Sequence, residues 1–280
     1  MKRVLAAALA VLFSISFLQA QETCLPLRHI TQDNLVFRGG ERMSYKIHFK
    51  SGVVNAYVAK AEISLDSTAL NGKPVYAARV YARTANFFDN FFNLREDFRS
   101  WFSAGDLAPE KFHRYSKEGR YTATNDYKFV RNTDEPYISA EIETSKKPRF
   151  TKEMPLGHCT YDPVTLFFAA RNMDMTRVRT GVPYPMTFAV ADDVYTIKFI
   201  YTGKEKRKVD DVGEVNTMKF TVQVLDGDVF TGGSDMVMWF SDDDNRVLVG
   251  FEAPLKIGVV QGRLISAEGL RHGLAITTKN

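Results

Sequence analysis

The stretch SDMVMWFSDDDNRVLVGFEAPLKIGVVQGRL, Ser234–Leu264, decides the fold class. Met236–Phe240 and Val247–Phe251 are short apolar runs separated by the polar group Ser241–Asn245. Leu255–Leu264 follows a corner at Ala253-Pro254. Asp and Asn side chains bond to their own backbone in turns, whereas aromatic and β-branched residues fit a pleated, half-buried surface. The spacing predicts a three-strand antiparallel meander.

The same signals recur upstream. Met43, Tyr45, Ile47 and Phe49 alternate with Ser44, Lys46 and His48, the pattern of a strand buried on one face. A longer strand over Val53–Leu65 places Tyr57, Ala59, Ala61, Ile63 and Leu65 together. The two alanines fit either tight packing or a tapering cavity. Asn71-Gly72 marks a hairpin. Alternating runs then continue to Thr144, and again from Met186 to Leu225, with Lys146-Lys147-Pro148-Arg149 read as a solvated loop. One helix interrupts them. Asp162 is an N-cap, Pro163 suits the first helical position, and Arg171 suits the negative end of the helix dipole. The expected fold is therefore all-β: a large antiparallel, strongly curved sheet, either an open barrel or a sandwich, of about 10–12 strands with one short helix around 163–171. Closing or nearly closing such a sheet protects its edges.

The segment Asn86–Phe92 breaks the alternation. A short helical turn would set Phe87, Phe88, Phe91 and Phe92 on one side. The leading expectation is that this side plugs one end of the core. The alternative is an apolar lip beside a ligand pocket, to which Tyr57 would also contribute.

Export is expected from the N-terminus. Met1-Lys2-Arg3 is a basic start, Val4–Leu18 an apolar run and Ala20 a small residue at the end of a leader over 1–20. Residues 21–38 then read as a lead-in, 39–266 as a single β-rich domain with any seam near 162–171, and 267–280 as a C-terminal tail. The whole chain has 37 basic and 33 acidic residues. Without the leader it is nearly neutral, which gives no reason to expect a nucleic-acid partner. No second apolar run approaches the roughly 18 residues that a membrane helix needs.

Chemistry is sparse. Cys24 and Cys159 could form one disulfide in an oxidising compartment, or could stay as two unpaired small hydrophobes. The five histidines are scattered without metal-ligand spacing, so neither a metal nor another cofactor is expected. Glu41, Asp97, Asp242, Asp243 and Asp244 are the carboxylates from which a glycan-directed hydrolase would need two facing each other across a cleft. Asp242 and Asp243 read instead as turn formers, with Arg246 pairing to one of these aspartates to fix the turn.

Five features taken together carry a resemblance. They are Gly40-Glu41 before a Tyr-rich strand, Asp162-Pro163 opening a helix that ends at Arg171, and Gly213 before a strand with Lys219-Phe220. The other two are Trp239-Phe240-Ser241-Asp242-Asp243-x-Asn245-Arg246 and Leu255-x-Ile257-Gly258. This order resembles the bacterial envelope family catalogued as domain of unknown function 3108, over roughly residues 36 to 266. The chain departs from the pattern in having Val247-Leu248 after Arg246, where a proline is expected nearby. The resemblance implies an exported β-rich protein with no established reaction. It is also similar in general form to periplasmic domains that enclose apolar molecules in an open barrel. The leader and the aromatic strands suit the periplasm or outer envelope of a bacterium with an outer membrane. The favoured expectation is a non-enzymatic protein that binds a lipid or another apolar or amphipathic ligand, or an envelope protein. The alternatives are a hydrolase of an envelope polymer and a structural platform for assembly.

Overall fold

A computed structural model describes residues 24–31, 33–89, 92–209, 213–224, 235–274 and 276–277. The leader expected over 1–20 and Phe91 lie outside the described residues. The first half of the chain is a meander: β1 (Arg42–Ser51), β2 (Val54–Leu70), β3 (Lys73–Thr84), a one-turn helix α1 (Asn86–Asp89), β4 (Leu94–Ser103), β5 (Pro109–Glu118), β6 (Tyr121–Val130), β7 (Tyr137–Thr144) and β8 (Lys147–Pro155). A short β9 (Thr160–Tyr161) and helix α2 (Pro163–Arg171) cross to a second meander. That one comprises β10 (Pro183–Val190), β11 (Asp193–Val209), β12 (Gly213–Val224), β13 (Met236–Ser241), β14 (Leu248–Pro254) and β15 (Val259–Glu268), with β16 (Ile276–Thr277) after it.

All the strands belong to one sheet, in the order β8-β7-β6-β5-β4-β3-β2-β1-β15-β14-β13-β12-β11-β10-β9, with β16 on β12. The two meanders are joined where β15 pairs antiparallel with β1. The sheet curls without closing. The Tyr127 hydroxyl donates to the Ala191 carbonyl at 2.6 Å, and Lys152 Nζ donates to that of Asp192, so the β10–β11 turn reaches back to strands near the other end. The three strands expected over 236–264 are β13, β14 and β15, but the corner expected at Ala253-Pro254 lies at Leu255–Gly258, because β14 runs on to pair Pro254 with Val259 and β15 continues to Glu268.

The strand total exceeds the expected 10–12 for local reasons. Of the basic run read as a loop, Lys146 is in the β7–β8 turn, and Lys147, Pro148 and Arg149 start β8, an end strand on which they stay exposed. An end strand needs only one neighbour to satisfy its backbone, so proline and charge are compatible with it. The charged stretch after Gly203 likewise continues β11, with Lys204, Lys206 and Lys208 exposed and their neighbours half-buried.

Because neighbouring strands from β8 to β10 are antiparallel throughout, their turns alternate between two rims. The start of β1, the β13–β14 turn and the C-terminus of α2 meet at what we call the lower rim. The β1–β2, β3–β4, β5–β6, β7–β8, β10–β11 and β14–β15 turns form the upper rim.

The lower rim is filled. Asp162 caps α2 by accepting from the Val164 and Thr165 amides at 2.9 Å each. Its other oxygen accepts from the hydroxyls of Ser100 (2.8 Å) and Thr165 (2.6 Å). Burial pushes this carboxyl up, against the lowering effect of those four bonds. Phe168 of α2, Phe102 and Tyr76 of the sheet, and Phe37 of the lead-in form one fully desolvated aromatic cluster, with Phe37 5.1 Å from Phe168 and 5.3 Å from Tyr76. The described part of the lead-in thus enters the core through buried Leu25, Leu35, Val36 and Phe37. Cys24 and Cys159 form a disulfide, with Cα atoms 6.1 Å apart, that holds this segment beside the start of α2. The expected tail is also tied down: the Asn245 side chain donates to the carbonyls of His272 (3.0 Å) and Gly273 (3.2 Å).

These residues correct the expectation for Phe87, Phe88 and Phe92. Plugging is done by α2 and the lead-in. A helix as short as α1 cannot reach inward past the ends of β3 and β4, and no residue of it is buried. Phe87 is 73% and Phe92 52% exposed, while Phe88 is half-buried with its ring 5.1 Å from that of Phe87.

Candidate functional site

Two polar constellations lie inside the barrel, and only one is open. At the lower rim Glu41 and Arg171, both fully buried, form a two-pronged ion pair at 2.7 and 3.2 Å. Arg171 also donates to the carbonyls of Asn245 (2.9 Å) and Arg246 (3.2 Å), and lies over the Phe37 and Phe168 rings. With its charge balanced and its donors used, the pair ties β1, α2 and the β13–β14 turn together.

That turn is built by Asp243. Its carboxylate accepts from the Ser241 hydroxyl (2.7 Å) and from the backbone N–H groups of Asn245 and Arg246 (3.0 Å each). Arg246 has φ +50°, a left-handed conformation that three such acceptor bonds stabilise. The expected pairing of Arg246 to an aspartate is made by its backbone. Its guanidinium instead donates to the carbonyls of Met173 and, at 3.4 Å, Arg171, and burial lowers its pKa to about 10. Asp242 faces outward and pairs with Lys204 at 2.6 Å.

The open constellation lies toward the upper rim on the concave face of β2–β8. Cross-strand register sets Ala61, Ala82, Glu96, Ser116, Ala123 and Thr144 in one row. The next row toward the plug is Ile63, Val80, Phe98, Arg114, Asn125, Ile142 and Phe150. Ala123 and Thr144 of the first row leave space above Asn125 and Ile142 of the second. The result is a cavity of 580 Å³, with Phe92, Ile142 and Phe150 as apolar walls, Arg114 and Asn125 at its base, and Lys146 and Lys147 at its mouth.

The base is under-satisfied. Ser116 donates to Glu96 Oε1 at 2.5 Å, and Arg114 donates to Asn125 Oδ1 at 3.4 Å. Glu96 Oε2 and Arg114 Nε are 3.9 Å apart, too far for a hydrogen bond, and each is buried without another protein partner. Burial pushes the Glu96 carboxyl up, partly offset by Ser116 and Arg114. Arg114 lines the cavity, and its unpartnered Nε suits a guest that supplies an acceptor, whereas Glu96 on the neighbouring strand does not line it.

The tentative ligand residues separate in space. Phe92 lines the cavity, whereas Phe87, Phe88 and Tyr57 do not. Tyr57 is 40% exposed beside His48, ring centroids 6.0 Å apart. Glu96, Arg114 and Asn125 were missed because charged and amide residues within an alternating strand read as solvent-facing. Their one signal was parity: each shares its strand face with a large apolar residue, Phe98, Phe112 or Tyr127. The carboxylates considered for hydrolysis do not meet. Glu41 is locked to Arg171, and Asp97 sits on the convex face between Arg79 and Arg99, both at 2.7 Å. There its pKa falls to about 2, since those ion pairs outweigh the burial that would raise it. Among the described residues no group of His, Cys, Asp and Glu is placed to hold a metal ion, and no helix is long and apolar enough to cross a membrane.

A family model described as "Protein of unknown function (DUF3108)" matches residues 44–265, nearly the span over which the resemblance was read. Among solved structures the chain is similar to the crystal structure of a beta-barrel-like protein of domain of unknown function DUF1849 from Brucella abortus. That match has 12% sequence identity and a TM-score of 0.52, and covers 83% of this chain and 98% of the other. At this identity the likeness is one of fold. No curated protein matches the chain.

Proposed function

We propose, for a chain that belongs to the family described as Protein of unknown function (DUF3108), that it is an exported envelope protein whose open barrel binds one amphipathic ligand without transforming it. The observation that carries this proposal is the base of the cavity. The cavity has Arg114 and Asn125 at its base, with the Arg114 Nε buried and lacking a hydrogen-bond partner, beneath walls formed by Phe92, Ile142 and Phe150. Its volume of 580 Å³ falls within the roughly 300–1,000 Å³ typical of small-molecule sites. A polar head that accepts from Arg114 and bonds to Asn125 fits the base, and an apolar chain fits the walls. A disulfide and an apolar leader are both in keeping with export.

The test is uptake of a fluorescent fatty acid, with mass spectrometry of whatever small molecule is released from the purified protein. Ala123→Phe would fill the cavity from the small-residue row. It is expected to abolish uptake while retaining the cooperative melt of the parent. A parent protein that takes up no probe and releases no small molecule would overturn the proposal.

A further inference from the structure

The upper rim has a second property that ligand uptake does not require. Within it, the β14–β15, β1–β2, β3–β4, β5–β6 and β7–β8 turns lie side by side in the sheet order. Most of the large hydrophobic residues exposed anywhere among the described residues are on three of these neighbouring connections. Val53 is fully exposed at the tip of the β1–β2 turn, with Val54 beside it. Ile257, 73% exposed, and Leu255 are at the tip of the β14–β15 turn, and Phe87 and Phe92 flank the β3–β4 connection. Among the described residues the lower rim has only Val182, ahead of β10.

The β14–β15 tip is fixed by the fold. Gly258, at φ +86°, closes the β14–β15 turn against the end of β1, where a Cβ would run into the Lys50 carbonyl. The Leu255 amide donates to the Gly258 carbonyl at 2.9 Å, fixing the loop that presents Ile257. Exposed lysines flank the apolar tips: Lys50 and Lys256 beside Val53 and Ile257, and Lys146 and Lys147 farther along the same rim. The acidic groups along this stretch are fewer, with Asp89 paired to Arg95 and Glu118 exposed. Asp192 and Asp193 lie on the β10–β11 turn, at the other side of the cavity mouth.

We infer that this rim docks on an anionic phospholipid surface, with the Val53 and Ile257 tips entering the interface and the lysines facing lipid headgroups. Apolar tips flanked by cations are what an interfacial site requires. Each apolar side chain leaves water for the headgroup–acyl boundary, and each lysine gains from the negative surface potential. A soluble partner protein of neutral charge would not account for the lysines. Docking here would also bring the cavity mouth, lined by Lys146 and Lys147, up to the bilayer.

The experiment is co-sedimentation of residues 21–280, which contain every described strand and the disulfide. The vesicles are either equal parts phosphatidylglycerol and phosphatidylethanolamine, or phosphatidylcholine alone. The parent is expected to bind the anionic vesicles and to lose binding as salt rises. Lys50→Glu with Lys256→Glu should weaken it by more than the roughly fivefold expected for each lysine lost. Val53→Ser with Ile257→Ser should weaken it about tenfold or more. Both double variants should melt like the parent and take up the fatty-acid probe normally. That keeps failure of docking distinct from failure of the cavity proposal. Absence of vesicle binding by the parent would overturn the inference, as would rim variants that bind as well as the parent. Concentration-dependent self-association abolished by Val53→Ser with Ile257→Ser, without vesicle binding, would assign the rim to a second copy of the chain instead.

Discussion

At the scale of single residues the barrel depends on one desolvated ion pair. Glu41 and Arg171 are 130 positions apart in sequence and share no solvent. Such a pair contributes little net stability over apolar residues of similar volume, but removing one partner strands the other charge in the core. Glu41→Gln or Arg171→Met alone is expected to lower unfolding free energy by about 3–5 kcal/mol. Glu41→Met combined with Arg171→Met should lower it by clearly less than the sum of the two single losses. Denaturant midpoints of the three variants check this, and additive losses would mean that the two residues act separately. Glu96 and Arg114 differ in being incompletely paired, and of the two only Arg114 lines the cavity.

At the scale of elements, the contrast is between two short helices with similar aromatic content. In α2, Phe168 is fully buried against Phe37, Phe102 and Phe167. In α1, Phe87 is largely exposed. Phe168→Ala should cost about 3–5 kcal/mol, the cavity left behind included. Phe87→Ala should stay within about 0.5 kcal/mol of the parent, as exposed substitutions do. Chemical unfolding of the two variants decides it, and a large loss at Phe87 would return the end-plug to α1. Sequence pattern could not separate the two helices. Both offer clustered phenylalanines, and only the crossover from β9 to β10 carries α2 over the concave face.

At the scale of the whole molecule, the Cys24–Cys159 disulfide closes a separation of 135 residues and pins the lead-in to the base of the plug. Thiol labelling of denatured, unreduced protein should find no free thiol. Reduction should lower stability by about 2–4 kcal/mol, chiefly by freeing the unfolded chain. Two free thiols in the unreduced protein would refute the pairing.

The amino-acid sequence by itself determined the all-β class, the β13–β15 meander and the capped helix at Pro163–Arg171. Each follows from local causes: alternation along a strand, turn chemistry at Ser241–Asn245, and the Asp162-Pro163 start. Much was decided only by tertiary structure: the pairing of β15 with β1, the burial of Glu41 against Arg171, the place of Phe37 in the core, and the meeting of Arg114 and Asn125 under one cavity. Register between strands and the curl of a sixteen-strand sheet depend on packing between residues far apart in the chain, and alternation within a single strand cannot tell which of its polar residues face a cavity and which face water.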